Sequence, residues 1–457
     1  MLLGLVLPAL LALLGSPAAG AATPAKKRPA VLPPPELTLT PSLASGPGAR
    51  IGIAPVGLSI EYPVMAAALG TSGCPSPALI AELQRLGSPP LQLAGQSQDF
   101  TIPAVSAPAA PQSWEEQTAY PLAAEFWTRL GCLLSATHEP LTVGLNARTG
   151  QRSWAEQMVA GASSAATGGL DFSLGNEPDL YYLPDYYALD KPQPGEEALV
   201  VNTYLRAASA LRGAIGSAPL VGPELSGPTR WRASLPRVIS TLGVRTLGVH
   251  VYPLTVCRTP RAATIGGLLA QSVGAAPSRL AWVVADARAA GAQAIITEAN
   301  SVSCGGKAGV SDSPASAVWA VRFVLSALRT GFGEVRFHFS GNAYDPFYVR
   351  GAEVVRRPLE AAMVALNQWL PVGATFRSVA GLGRVAATAI AAPGAQPLLL
   401  LDNTAGKAST LVLREALAIS TQTFSANGAR PTLRRMKGPG HRVQVVIPAN
   451  TVLAVGY

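Results

Sequence analysis

The chain has 457 residues, 49% of them apolar and 13% charged, with a net charge of +9. It is too long for one ordinary domain and too apolar for extended disorder, so a large packed core is expected. The basic balance favours acidic partners. The positive residues are scattered, however, with Lys26-Lys27-Arg28 the only run of three, and no recognition motif is present, which argues against a nucleic-acid groove.

Residues 1–22 form an apolar run, interrupted by Pro8 and closing in Ser16-Pro17-Ala18-Ala19-Gly20-Ala21-Ala22. That is the pattern of a secretory signal peptide, although no Lys or Arg precedes the run. The run is short for a membrane span. An exported protein, extracellular or periplasmic and without stable membrane association, is the expectation. Residues 23–49 are Pro-rich, with one strand-like piece at Glu36 to Thr40.

A regular alternation then begins. Ile51 to Ile60 reads as a strand stopping at Glu61, and Pro77 to Leu86 as a helix. Pro90 to Ala94 reads as a strand, and Trp114 to Leu130 as a helix capped by Ser113 with Glu116 three residues on. Leu141 to Leu145 reads as a strand ending at Asn146; Ser153 and Glu156 repeat the capping spacing. Strands at Leu170 to Leu174, Pro219 to Gly222, Thr246 to Val251, Ala294 to Thr297 and Val335 to Phe339 follow. Between and after them come helices at Glu197 to Ile215, Pro236 to Leu242, Ser278 to Ala290, Pro314 to Leu328 and Leu359 to Leu370. Eight strands, each followed by a helix or a long connection, predict a parallel sheet closed into a (β/α)8 TIM barrel over 50–370. Beyond Pro371 no long helix is expected. Leu398 to Leu401, Thr410 to Leu413, Val443 to Ile447 and Val452 to Val455 read as strands of an antiparallel β-sandwich over 371–457, which Glu36 to Thr40 could join.

Polar residues fall at or just past the C-terminal ends of these strands: Glu61, Gln96, Asn146, Asn176, Glu177, Tyr252 and Glu298. Barrel active sites lie at that end. Glu177 stands in LGNEPDLY after the fourth strand, and Glu298 in IITEANSVSCGG at the end of the seventh. Two such carboxyl groups are what hydrolysis of a glycosidic bond requires, one to protonate the leaving oxygen and one to attack the anomeric carbon. In a retaining pair they stand about 5–5.5 Å apart. Tyr252 is placed to donate to Glu298, and Asn176 to hold a sugar hydroxyl. The plainer readings are core packing for Tyr252 and a satisfied strand-end histidine for His250. Cys74, Cys132, Cys257 and Cys304 match no zinc spacing and read either as up to two disulfides or as buried thiols. No metal and no organic cofactor is expected.

Asn-Glu-Pro after the fourth strand and a glutamate ending the seventh resemble the large clan of retaining glycosidases on (β/α)8 barrels. The wider segments Leu174 to Asp179, Val249 to Pro253 and Thr297 to Gly306 resemble glycoside hydrolase family 79, the family of heparanase and of microbial β-glucuronidases. The resemblance runs from about Ile51 into the C-terminal sandwich. It implies Glu177 as acid/base, Glu298 as nucleophile, and a loop after Glu298 whose backbone amides and a tyrosine hold the carboxylate of glucuronic acid. Here that loop is Ser303-Cys304-Gly305-Gly306, with Ser303 standing where heparanase-like members have tyrosine. Lys307 and Tyr344 are candidates to compensate, and Tyr344 matches a substrate tyrosine of microbial members. Glu61 and Gln96 fall at family positions near the sugar, while Ala94-Gly95-Gln96 departs from the two glycines common there. Cys257 and Cys304 follow adjacent strands of the expected barrel, so a disulfide between them would pin the carboxylate loop. The activity so implied is a secreted retaining β-glycosidase acting on terminal β-linked glucuronic acid or its 4-O-methyl ether. The rivals are a neutral-sugar enzyme (glucoside or xyloside), kept open by Ser303, and an inactive carbohydrate-binding relative.

Overall fold

The computed structural model describes residues 33–40, 43, 48–104, 119–181, 197–257, 263–351, 353–414, 420–438 and 440–457. The expected signal segment and the Ser113–Glu116 cap lie outside these residues. Eight parallel strands close into a barrel: β1 (Val56–Glu61), β2 (Leu91–Ala94), β3 (Leu141–Leu145), β4 (Leu170–Leu174), β5 (Leu220–Leu225), β6 (Thr246–Val251), β7 (Gln293–Ala299) and β8 (Val335–Phe339). The ring closes where Val335 pairs with Val56.

Alternation along the strands explains the closure. In β8, Val335, Phe337 and Phe339 join the apolar core with the helices, while Arg336 and His338 face the other way. The same reading applies to Leu91, Gln92 and Leu93 in β2. Arg336 Nη1 donates to Gln92 Oε1 at 2.6 Å and to Thr142 Oγ1 at 3.0 Å, which joins β8, β2 and β3 through the barrel interior. That interior is therefore a packed and largely polar layer.

Three expectations at the element scale are corrected. The first strand starts at Val56 rather than Ile51, because Pro55 has no N–H for the ladder. The fifth strand runs through Pro223 to Leu225 and carries Glu224 with it. The helix Arg152–Ala165 has Gln151 as its N-cap with no side-chain bond; Ser153 lies inside it, and Glu156 instead accepts from Arg152 Nε at 2.8 Å. An unanticipated helix, Tyr62–Leu69, follows β1 directly, and the helix expected from Trp114 is described from Glu125 to Thr137.

Two antiparallel sheets follow the barrel. Thr375–Val379, Val385–Ala391, Leu398–Asn403, Thr451–Gly456 and Ser420–Ser425 form one sheet, with Ala49–Arg50 on its edge. Ser409–Arg414, Arg442–Ile447 and Thr432–Arg435 form the other; Glu36–Thr38 adds to it in parallel, Glu36 opposite Val412. The run Leu398 to Leu401 is apolar on both faces for a reason. Leu400 packs into the barrel's core, whereas Leu399 and Leu401 pack between the two sheets. The helix Pro314–Thr330 is buried on nearly every side, and its Arg322 forks onto Asp402 of the first sheet, Nη2 to Oδ1 at 2.8 Å. Residues 35–457 form one compact unit.

Candidate active site

A cavity of about 720 Å³ opens at the C-terminal ends of the barrel strands. Its lining includes Glu61, Gln96, Asn176, Glu177, Tyr252, Glu298, Ser303, Cys304, Gly305 and Tyr344, each singled out in the sequence, together with residues that were not, among them Ser226, His338 and Ser340. Asn146 is elsewhere. Buried, it donates from Nδ2 to the Thr101 carbonyl and accepts from Thr149 N, so it staples a loop.

Glu177 leaves the end of β4 in a left-handed conformation, φ 44°, before the short turn Pro178–Leu180. A non-glycine residue there carries strain that its surroundings must hold. Asp99 does so from one side, accepting from Asn176 N and Tyr181 Oη at 2.9 Å each. Asp179 does so from the other, accepting from Ser226 N and Gly227 N. Burial and the neighbouring Glu177 push the Asp179 carboxyl up to about 6.

Glu298 projects from the end of β7. Tyr252 donates to its Oε1 at 2.6 Å. Its Oε2 is buried and makes no hydrogen bond, standing 3.4 Å from His338 Nδ1 and 3.7 Å from His250 Nδ1. A carboxylate oxygen of Glu177, one of Glu298 and a ring nitrogen of His250 all lie within 4.8 Å of one another.

Two histidines that the sequence left unassigned are central to this arrangement. His250, on β6, meets Glu177 Oε1 through Nδ1 at 2.9 Å and Glu224 Oε2 through Nε2 at 3.4 Å. Burial opposes its charged form, but Glu298, Glu177 and Glu224 together hold its pKa well above the ordinary value. His338, on β8, stands 3.5 Å from Glu61, and its pKa is also raised, because Glu298 and Glu61 outweigh burial. Glu61 proves to be a loop anchor as well as a lining residue. Its two oxygens accept from Gln96 N at 3.0 Å and Ser97 N at 2.8 Å. Gly95 (φ 74°) makes this possible, since a Cβ there would overlap the Glu61 carboxylate and the His338 ring. Tyr252 and Tyr344 remain protonated donors, pushed above the usual phenol range by burial and by Glu298.

The loop after β7 turns sharply. Cys304, Gly305 and Gly306 have φ of 59°, 83° and 79°, three left-handed residues in succession. The Cys257–Cys304 disulfide, with Cα atoms 5.4 Å apart, ties this turn to the segment after β6. A second disulfide joins Cys74 to Cys132, so among the described residues no cysteine is free. Ser303 pairs with Thr255 in a two-residue parallel ladder and donates its hydroxyl to Thr255 Oγ1 at 2.8 Å. Tyr344 Oη shares a 2.8 Å hydrogen bond with Ser340 Oγ. Lys307 does not compensate for Ser303; its ammonium turns away and donates to the Ala263 carbonyl at 2.9 Å.

No family model matches this sequence, and no curated protein sequence matches it either. Solved structures do match. A 4-O-α-L-rhamnosyl-β-D-glucuronidase from Fusarium oxysporum 12S, in complex with Rha-GlcA, is 19% identical with a TM-score of 0.67, covering 92% of this chain and 100% of that one. The family 51 α-L-arabinofuranosidase AbfB from Bifidobacterium longum is 13% identical with a TM-score of 0.61, covering 93% and 100%. The catalytic domain of the GH30 xylanase C from Talaromyces cellulolyticus is 13% identical with a TM-score of 0.54, covering 92% and 99%. The chain therefore shares the barrel-and-sandwich fold of these glycoside hydrolases.

Proposed function

We propose that this protein is a retaining β-glycosidase of the family 79 type, exported from the cell, which releases terminal β-linked glucuronic acid or its 4-O-methyl ether from a glycan or glycoside. The observation that carries the reading is the approach of Glu177 and Glu298, oxygens within 4.8 Å, at the ends of β4 and β7 in one cavity. Such a gap fits the retaining class, whereas inverting pairs stand about 6.5–9.5 Å apart to admit a water.

In the first step Glu298 attacks the anomeric carbon while the Tyr252 hydroxyl holds its Oε1. The bond to the leaving oxygen breaks as Glu177 gives that oxygen its proton. In the second step Glu177 takes a proton from water, the water attacks the same carbon, and Glu298 departs as a carboxylate. Asn176, beside the acid, holds a sugar hydroxyl. The backbone of Cys304 and Gly305 lines the cavity in a glycine-rich turn of the kind that suits an anion, with Tyr344 beside it.

One observation favours the neutral-sugar reading. Among the described residues no Lys or Arg lines the cavity, and the Ser303 hydroxyl is engaged by Thr255. A panel of aryl β-glycosides decides. We expect the glucuronide to give the highest kcat/KM. A preference for glucoside or xyloside would transfer the assignment to a neutral sugar, and no turnover of any of them would leave a carbohydrate-binding relative.

A further inference from the structure

The polar layer inside the barrel does not stop beneath the cavity. Arg336, braced by Glu334 with Nε to Oε1 at 2.8 Å, donates to Gln92 Oε1 at 2.6 Å. Gln92 Nε2 donates to Glu224 Oε1 at 2.7 Å. Glu224 Oε2 faces His250 Nε2 at 3.4 Å, and His250 Nδ1 meets Glu177 at 2.9 Å. The chain thus runs from β8 through β2, β5 and β6 to the candidate acid/base. Glu224 itself is fully buried and does not line the cavity. Room for it is provided by Gly248 of β6, where a Cβ would stand 3.2 Å from Glu224 Cγ and 2.8 Å from the Thr297 side chain.

A buried carboxylate persists only with donors and a compensating charge. Gln92 supplies a neutral donor, and the cation in direct contact is His250. Carboxylates of Glu177, Glu224 and Glu298 face that ring from three strands, and His338 stands beyond Glu298 on a fourth. A neutral imidazole has one N–H, so only a doubly protonated ring can donate to Glu224 and to Glu177 at once.

We propose that Glu224 is a positioning residue: it holds His250 doubly protonated, with the Nδ1–H aimed at Glu177 and the positive charge midway between Glu177 and Glu298. This role rests on the glycosidase reading above and deepens it. When Glu298 becomes an ester it loses its negative charge, and Glu177, having given up its proton, gains one. His250 stands 2.9 Å from Glu177 and 3.7 Å from Glu298, so it neighbours the charge before and after the step without moving.

The test is a histidine titration of the full chain by long-range ¹H–¹⁵N NMR, tractable because the sequence has four histidines. His250 is expected to carry both protons at pH 7 in the wild type. Glu224→Gln should lower its midpoint by about one pH unit or more, and Glu224→Asp by less. A singly protonated His250 in the wild type overturns the proposal, as does an unchanged midpoint in Glu224→Gln. Should that variant fail to fold, the wild-type titration alone decides. On whichever aryl glycoside the wild type turns over, the alkaline limb of kcat/KM should shift in Glu224→Gln and return toward the wild type in Glu224→Asp. A fall in kcat with the limb unmoved would reduce Glu224 to packing and overturn the proposal. If the wild type turns over no glycoside, the functional reading fails while the titration still decides the role of Glu224.

Discussion

At the scale of single residues, the two glutamates make separable predictions. Glu298→Ala should abolish turnover of every substrate. Glu177→Ala should cost about 10²–10⁴-fold on substrates with poor leaving groups, spare activated aryl glycosides in the first step, and be rescued by azide. Equal and unrescued losses would mean the roles are misassigned. Tyr252→Phe removes a hydrogen bond to a charged group, worth about 1.5–3 kcal/mol, and should lower kcat/KM by roughly 10- to 150-fold. The carboxylates, Tyr252 and the loop after β7 were legible because each ends a recognisable strand. His250 was not, because an isolated strand-end histidine is usually a satisfied core residue, and nothing in the sequence shows the three carboxylates around it. Glu224 was hidden by Gly222-Pro223, which reads as the end of a strand. Lys307 misled because a cation beside an anion-binding loop looks like part of it, whereas its ammonium is engaged by the Ala263 carbonyl.

At the scale of elements, the Cys257–Cys304 disulfide and the three left-handed residues act as one device. The cross-link fixes a turn whose conformation L-residues avoid. Cys304→Ser should therefore raise KM for an aryl glucuronide more than for the matched glucoside, with the fold retained. Loss of both activities in the same proportion would argue that the turn holds no carboxylate. Gly248→Ala should destabilise by about 1–3 kcal/mol, read as a lowered denaturation midpoint, because its Cβ would press on Thr297 and Glu224. The barrel strands were readable from apolar alternation. Much of the sandwich was not. Val385–Ala391 is mostly alanine, which carries no strand preference, and Thr432–Arg435 is an exposed edge with little apolar content.

For the whole molecule, the two buried imidazoles predict how stability depends on pH. Their folded pKa values lie above the ordinary value near 6.5, so the stability they contribute is complete below that pH and is lost as pH rises through the folded values. Asp179 and Asp345, each raised to about 6 chiefly by burial, act in the same sense at lower pH. Glu61 acts in the opposite sense, since its lowered carboxyl loses its contribution in acid. Denaturant midpoints should therefore fall between pH 6 and pH 8.5; a rise over that interval would contradict the charged state assigned to His250 and His338.

The six-stranded sheet that faces both the barrel and the second sheet has a further consequence, for the order in which the chain can mature. Glu36 reaches Arg414 across 378 positions of sequence, and Ala49–Arg50 pairs with Thr375–Val379. The earliest ordered strands must therefore wait, unpaired, until nearly all of the barrel has been synthesised. Leu400, Val452 and Ala454 then seal a face of the barrel core that would otherwise be bare. A ribosome-bound or translocating chain holding only the barrel sequence would expose that face to water, so it should engage chaperones until the sandwich strands emerge.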